Sequence, residues 1–272
     1  MKKITILIIC ILITGYIRAQ DINQRNVPAV VLNAFQLKFP NASDVDWKLD
    51  NGNYHIDFEL NDKDNEAVLD YRGKLLKHKQ DLYISEIPKN VLETIKSKVQ
   101  FFDIKDADLL TENGETVYKI NFEIDDKDYD FWISKNGKLL KYIRELKDNE
   151  VPENILSAIK NNYGSLDIDH AKYYEDAGKI SYYVDGDIND KAHVFTYDKK
   201  ANLLKHEQDL KNSEIPAPVM NTLKTSYKNY EIRDADLTEE NGKTTYDIEL
   251  KKSRDRIHVI LNPDGKILEV KN

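Results

Sequence analysis

The sequence is poor in the residues that most often carry chemistry: one cysteine, Cys10, two methionines and two tryptophans among 272 residues. Cys10 lies in a segment with Lys2 and Lys3, a mostly apolar run from Ile4 to Ile13, and Ala19 before Gln20. These are the parts of a secretory signal peptide over residues 1–19. The apolar run is too short for a membrane span, so no membrane insertion is expected after cleavage. Ile9 stands before Cys10 where a lipoprotein signal would carry a small residue, which argues against lipidation. Cleavage would leave 253 residues without disulfide or thiol nucleophile, an exported chain held by packing alone.

Other absences narrow the chemistry further. No HExxH, paired CxxC, glycine-rich phosphate loop or GxSxG occurs. Serines are scattered, and carboxylate pairs are too numerous to single one out. The sequence therefore assigns no catalytic residue and no cofactor, and it weighs against an enzyme, with a glycosidase-like carboxylate pair left open. Basic residues are in deficit, 40 against 48 acidic, and losing Lys2, Lys3 and Arg18 takes the formal charge from −8 to near −11. That argues against nucleic acid or anionic lipid as partners. A basic partner protein stays open beside the plainer reading, solubility.

What the chain has is a period. Pro88, Pro152 and Pro216 lie 64 residues apart, as do Gly73, Gly137, Ala201 and Gly265. Each copy opens with apolar positions three, four, seven and eleven residues after the proline, one face of a helix. These are Val31, Leu32, Phe35 and Phe39; Val91, Leu92, Ile95 and Val99; Ile155, Leu156, Ile159 and Tyr163; Val219, Met220, Leu223 and Tyr227. The proline is expected in the first helical turn, where its missing N–H costs nothing. Segments alternating with period two follow, such as Tyr118, Ile120, Phe122 and Ile124, and read as half-buried antiparallel strands. Asn51-Gly52, Asn113-Gly114, Ala177-Gly178 and Asn241-Gly242 mark the first hairpin of each copy. Gly73, Gly137 and Gly265 mark the last, and Ala201 in the third copy predicts a looser turn over 200–202. Each copy is thus a helix followed by about four strands, an α+β unit that would be marginal alone.

Copies one and three are the more alike, as are two and four. Leu75 to Leu82 (LLKHKQDL) returns at Leu203 to Leu210 (LLKHEQDL) with a single change, 128 residues later. Ile104 to Leu109 returns at Ile232 to Leu237 at the same separation. A duplicated two-repeat unit follows, with domains over 20–147 and 148–272 and a boundary near Lys147 to Glu150. Within each, the two sheets can join edge to edge and so cover edges that invite aggregation.

Val27-Pro28, Phe39-Pro40-Asn41-Ala42, Trp47, Asn51-Gly52 and Arg72-Gly73-Lys74-Leu75-Leu76 resemble the PepSY-like family of secreted Bacteroidetes proteins described as beta-lactamase-inhibitor-like. The resemblance covers essentially the whole mature chain, although Tyr173 and Leu237 replace the tryptophan in copies three and four. It implies a helix packed on one face of a four-stranded antiparallel sheet, tandem copies sharing a concave sheet surface, and no catalytic residues. The implied fold is four tandem helix-plus-sheet repeats, paired into two beta-lactamase-inhibitor-protein-like domains. Inhibition of a beta-lactamase does not follow from shared architecture.

Trp47, on the side of Val45 and Leu49, is expected in the core. Trp132 falls between inward Phe131 and Ile133 and so faces away from the helix, with Leu139 expected beside it across the Asn136-Gly137 turn. Tyr183 faces outward by the same argument, and Val68 and Ile260 hold the position of Trp132 in other copies. An apolar strip on a polar sheet face is the mark of a binding surface; its competitor is packing against a neighbouring repeat. Histidines 78 and 206 are equivalent, and Tyr142 replaces them in copy two, so a half-buried structural position outweighs a metal ligand. Asp185, Asp187 and Asn189 have the oxygen spacing of a calcium loop, yet the run lacks its sixth-place glycine and coincides with a hairpin turn. A solvated acidic turn is the commoner meaning. The chain reads as an exported, non-catalytic binding protein for an unidentified protein or peptide, periplasmic or extracellular, with a secreted hydrolase as the sharpest target. A calcium- or small-ligand-binding envelope protein and a structural surface protein are the alternatives.

Overall fold

The computed structural model describes residues 20–112 and 114–271; the leader with Cys10, together with Asn113 of the second hairpin, lies outside the described residues. The first repeat holds β1 (Gln20–Asp21), α1 (Ala29–Lys38), β2 (Ser43–Asp50), β3 (Asn53–Glu59), β4 (Asp64–Leu69) and β5 (Leu75–Asp81). The second holds α2 (Lys89–Lys96), β6 (Ile104–Glu112), β7 (Glu115–Ile124), β8 (Lys127–Ser134) and β9 (Leu139–Leu146). The third holds α3 (Glu153–Asn162), β10 (Asp167–Asp176), β11 (Lys179–Asp187), β12 (Ala192–Asp198) and β13 (Leu203–Asp209). The fourth holds α4 (Ala217–Ser226), β14 (Glu231–Glu240), β15 (Lys243–Lys252), β16 (Asp255–Leu261) and β17 (Ile267–Lys271). Apart from the two-residue β1, which pairs with β2, each copy has one helix and four strands, the α+β arrangement the period predicts.

The chain divides into two compact units. The first runs to Ile87 and takes in Ala107–Tyr118; the second is Pro88–Asp106 with Lys119 onward. In the first unit β5 pairs with β6 from Lys77↔Glu112 to Asp81↔Asp108. In the second, β9 pairs with β10 and β13 with β14. Successive repeats are therefore joined strand to strand. Residues 148–150, where the sequence places a boundary, form a 3-10 turn inside the second unit, between the paired strands β9 and β10.

Each helix is entered through its proline, but as the N-cap and not within the first turn: ψ is 138°, 146°, 133° and 144° at Pro28, Pro88, Pro152 and Pro216. The proline carbonyl accepts the N–H four residues on, at 3.0 Å from Leu32, 3.1 Å from Leu92, 3.2 Å from Leu156 and 2.9 Å from Met220. The ring fixes an extended entry and leaves no donor to satisfy. The apolar residue just before it, Val27, Ile87, Val151 or Ile215, is buried in every copy. Behind it Val31 and Phe35, Val91 and Ile95, Ile155 and Ile159, and Val219 and Leu223 reach the core, while Leu32, Leu92, Leu156 and Met220 are half-buried.

The cores are those the strand alternation implies. In the first unit Phe35 packs against Trp47 and Phe58 with ring centroids 5.2 and 5.1 Å apart, and Trp47 is a core residue. In the second, α3 covers Ala171, Val184, Phe195 and Tyr197, and α4 covers Ala235, Ile248, Val259 and Leu261. Phe131 and Ile133 are fully buried, as the alternation of β8 requires.

Two features depart from or go beyond the sequence pattern. Ala201 does not loosen its turn: it takes φ 61°, and Ala201 N–H donates to Asp198 at 3.0 Å as Gly73 N–H donates to Asp70 at 2.9 Å. The Asp198 carboxylate accepts from the N–H groups of Lys200 and Asn202 at 2.8 and 2.9 Å, which holds the tight form despite the Cβ. The second feature ties consecutive repeats. Lys63, Lys127 and Lys191, each in the hairpin loop or at the strand start before the third strand of its copy, bind Glu86, Glu150 and Glu214 in the turn that opens the next copy. Each glutamate also accepts a backbone N–H, from Tyr83, Lys147 or Lys211. At the ends of the array Asn26 stands in the glutamate's place and Asp255 in the lysine's.

Candidate functional site

With the helix on one face, alternate residues of every strand stand on the other. In the second unit cross-strand register places Trp132 opposite Lys141, Asp130 opposite Ile143, and Ile143 opposite Tyr174. It continues with Lys172 opposite Tyr183, and Tyr183 opposite Thr196. All of these are half-buried. The Nζ of Lys141 stands 4.6 Å from the Trp132 ring centroid and that of Lys119 5.9 Å from it, so the indole is flanked by two ammonium groups. Burial raises the carboxyl of Asp130 above its ordinary value, against the pull of Lys119, Lys172 and Lys141. Burial, then the neighbouring Asp185 and Tyr174, pushes the Tyr183 hydroxyl up to about 12.

The expected strip is only partly assembled. Trp132 and Tyr183 stand on the open face, but Leu139 does not join them: it is paired with buried Ile133, while Trp132 is paired with Lys141. A β-bulge at Leu140 adds one residue to β9 and turns Leu139 to the helix side. The same offset recurs in the other copies, where Val68 pairs with Lys77 but Leu69 with Leu75, and Ile260 with Glu269 but Leu261 with Ile267. Ile260 is four strands from Thr196, which is four strands from Trp132, so neighbours in this series stand about 19 Å apart at ordinary strand spacing. Val68 belongs to the first unit. The structure therefore provides separate patches, not one ribbon.

The calcium-like run is accounted for by strand geometry. Asp185 and Asp187 lie on β11, and Asn189 and Asp190 form its turn with φ 53° and 59°. Asp185 faces His170 at 3.2 Å. Gly186 is demanded by packing, since a Cβ there would come within 1.9 Å of the Asp167 carbonyl oxygen. Among the described residues no group of three or more His, Cys, Asp or Glu side chains converges as a metal site would require. The two equivalent histidines are held by neighbouring side chains: half-buried His78 is bonded to Asn65 at 3.0 Å, and His206 is buried between His193 at 3.0 Å and Glu239 at 2.9 Å.

Sequence reasoning missed a cavity of about 310 Å³ on the open face, lined by Ala192, Val194, Glu207, Asp209, Asp236, Thr238 and Asp247. Asp209, Asp236 and Asp247 are directly opposite one another on β13, β14 and β15. Burial, then Asp234, Asp209 and Asp247, pushes the carboxyl of Asp236 up to about 7. Ile260 borders it as the cross-strand partner of Asp247. The available signal was the one changed letter in the duplicated octapeptide, Lys79 against Glu207.

Among the described residues no helix is long and apolar enough to cross a membrane. Similar solved structures include a BLIP-like protein from Bacteroides fragilis, 21% identical over 46% of this chain and 93% of its own, with a TM-score of 0.39. A DUF2874 family protein from Bacteroides uniformis is 18% identical over 42% of this chain and 87% of its own, with a TM-score of 0.39. No curated protein matches the chain. The family described as "Putative beta-lactamase-inhibitor-like, PepSY-like" matches four times, over residues 15–77, 74–141, 142–205 and 182–269. Four matches that together span nearly the whole sequence, one for each helix-plus-sheet copy, make this chain a member of the PepSY-like, beta-lactamase-inhibitor-like family.

Proposed function

We propose that the protein is an exported, non-catalytic binding protein that holds a protein or peptide partner on the open faces of its sheets. Export rests on the leader composition of residues 1–19. The observation that carries the binding reading is Trp132, half-buried on the face opposite the helices and flanked by Lys119 and Lys141. A large aromatic ringed by charge on a face its own helices leave uncovered has the composition of an interface anchor. Tyr174 and Tyr183 extend the same face over β10 and β11. The family description makes a secreted hydrolase the sharpest version of the partner.

The test is capture from the native envelope and culture fluid with the mature wild type and a Trp132→Ala, Tyr183→Ala variant of matched stability. A partner retained by the wild type and lost by the variant supports the reading. The same partner recovered by both removes the open face as its site.

A further inference from the structure

Each junction between repeats builds the same spot on the open face from four corresponding residues, and the three junctions fill it differently. At the first junction the spot is occupied from within. The Nζ of Lys79 stands 3.3 Å from Asp108, 3.5 Å from Asp81 and 3.6 Å from Glu66. Although burial opposes the charge, these three carboxylates raise the Lys79 ammonium to about 12. At the second junction the residues 64 positions on are Asp130, Ile143, Glu145 and Lys172, and here Lys172 supplies the ammonium, 3.8 Å from Glu145. At the third they are Val194, Glu207, Asp209 and Asp236. No lysine remains among them, and the cavity of about 310 Å³ opens at this place.

The charges around the third junction do not make up the loss. Lys205 pairs with Glu207 at 2.7 Å, and His258 with Asp247 at 3.0 Å. Among the described residues no Lys, Arg or His forms an ion pair with Asp209 or Asp236, the counterparts of the two aspartates that hold Lys79. Asp209 and Asp236 stand directly opposite one another on β13 and β14, about 4.8 Å apart at ordinary strand spacing, with Glu207 two residues along β13, and a single ammonium offers three N–H donors to such a group. Val194 and Ala192 on β12 offer an apolar wall for an aliphatic stem.

We propose that the third junction is a binding site for an external primary alkylammonium group, held by Asp209, Asp236 and Glu207 where Lys79 and Lys172 fill the other two junctions from within. The site goes beyond the Trp132 face and does not depend on it. Both a free diamine and a lysine side chain of a peptide carry this group. Loading the site favours the ionised form of Asp236, so binding strengthens from pH 6 to pH 8 while the amine itself stays charged. The groups facing Asp236 in this interval are Glu207 and Asp209 on β13, Asp234 on its own strand and Asp247 on β15, with Lys205 and His258 beyond them; β12 contributes no charge to the lining.

Calorimetric titration of the mature chain with cadaverine, with a blocked lysine-containing pentapeptide and with its norleucine counterpart tests the site, with tetramethylammonium and calcium chlorides as controls at matched ionic strength. The expected result is one saturable site for cadaverine or the lysine peptide, with no saturable site for the norleucine peptide or either control. The better of the two amines names the source. Glu207→Lys, which restores the arrangement of the first junction, is expected to raise Tm and weaken amine binding by about tenfold or more; Asp236→Asn weakens it without the gain in Tm. Undiminished binding to folded Glu207→Lys, or calcium or tetramethylammonium bound as well as the amine, would overturn the proposal, as would no saturable binding of either amine. None of these results bears on capture of a partner by the Trp132 face.

Discussion

Acidification to pH 4.5 should destabilise this protein through one buried ring. His193 and His206 are 5% and 1% exposed and stack with centroids 5.3 Å apart. The Glu239 carboxylate accepts from Tyr163 at 3.2 Å and lies 2.9 Å from Nδ1 of His206, whose Nε2 faces Nδ1 of His193. Burial, then the neighbouring His206 and Lys191, lowers His193 to about 4. An unfolded histidine titrates near 6.5, so between about 6.5 and 4 the unfolded chain takes up a proton the folded chain refuses. Stability is therefore whole above about 6.5 and lost as the pH falls toward 4. At about 1.4 kcal/mol per pH unit, two units amount to roughly 2–3 kcal/mol at pH 4.5. The first copy supplies the control residue: Asn65 stands at the corresponding place and accepts from His78 at 3.0 Å. Urea unfolding of wild type and His193→Asn at pH 7 and pH 4.5 gives the double difference, in which titrating groups remote from this ring cancel to first order. The wild type should lose about 2–3 kcal/mol more than the variant over this interval. Equal losses would refute the assignment of acid sensitivity to this ring.

Other perturbations follow from the same geometry. Ala201→Gly relieves a left-handed backbone and should raise stability by about 1 kcal/mol, read from the urea midpoint at unchanged slope. A drop would mean that the alanine methyl contributes more to the α3 core than its backbone costs. Burial alone would raise Glu150, but Lys127, the backbone N–H of Lys147 and Arg144 outweigh it and hold the carboxyl at about 2. Glu150→Gln should cost about 1–2 kcal/mol at pH 7, after allowance for solvent screening, with the deficit shrinking from about pH 4.5 and gone near pH 2; a deficit independent of pH would contradict the ion pair. Phe131 and Trp132 are neighbours on opposite faces, so Phe131→Ala should cost about 3–5 kcal/mol and Trp132→Ala under about 1 kcal/mol. Comparable losses on chemical denaturation would show that the Trp132 face is packed as core.

The fold was legible because its signals are local and repeated. The proline-led helix face and the alternation ending in Phe131 and Ile133 need no tertiary knowledge, and Trp47 follows from them. Leu139 was misplaced because the bulge at Leu140 shifts the register by one residue, and nothing in the Leu139-Leu140 dipeptide records the shift. The turn at Ala201 was misjudged because the Asp198 carboxylate gathers two N–H groups that hold the chain in the tight form. The acidic cavity could be seen only in part. Glu207 in place of Lys79 is plain in the duplicated octapeptide, but its meaning depends on the pairing of β13 with β14, which sets Asp209 opposite Asp236. The lysine-to-glutamate ties between repeats were likewise written in the 64-residue period, at 63 and 86, 127 and 150, and 191 and 214, and awaited the hairpin geometry that brings them together.

The central claim is that partners meet the sheet face opposite the helices. Photo-crosslinking in growing cells tests it most directly, with a benzophenone amino acid placed in turn at Tyr183 on that face and at Lys160 on the exposed side of α3. The account predicts a discrete adduct from position 183 and none from position 160. An adduct from position 160 alone, or the same adduct from both, would contradict it.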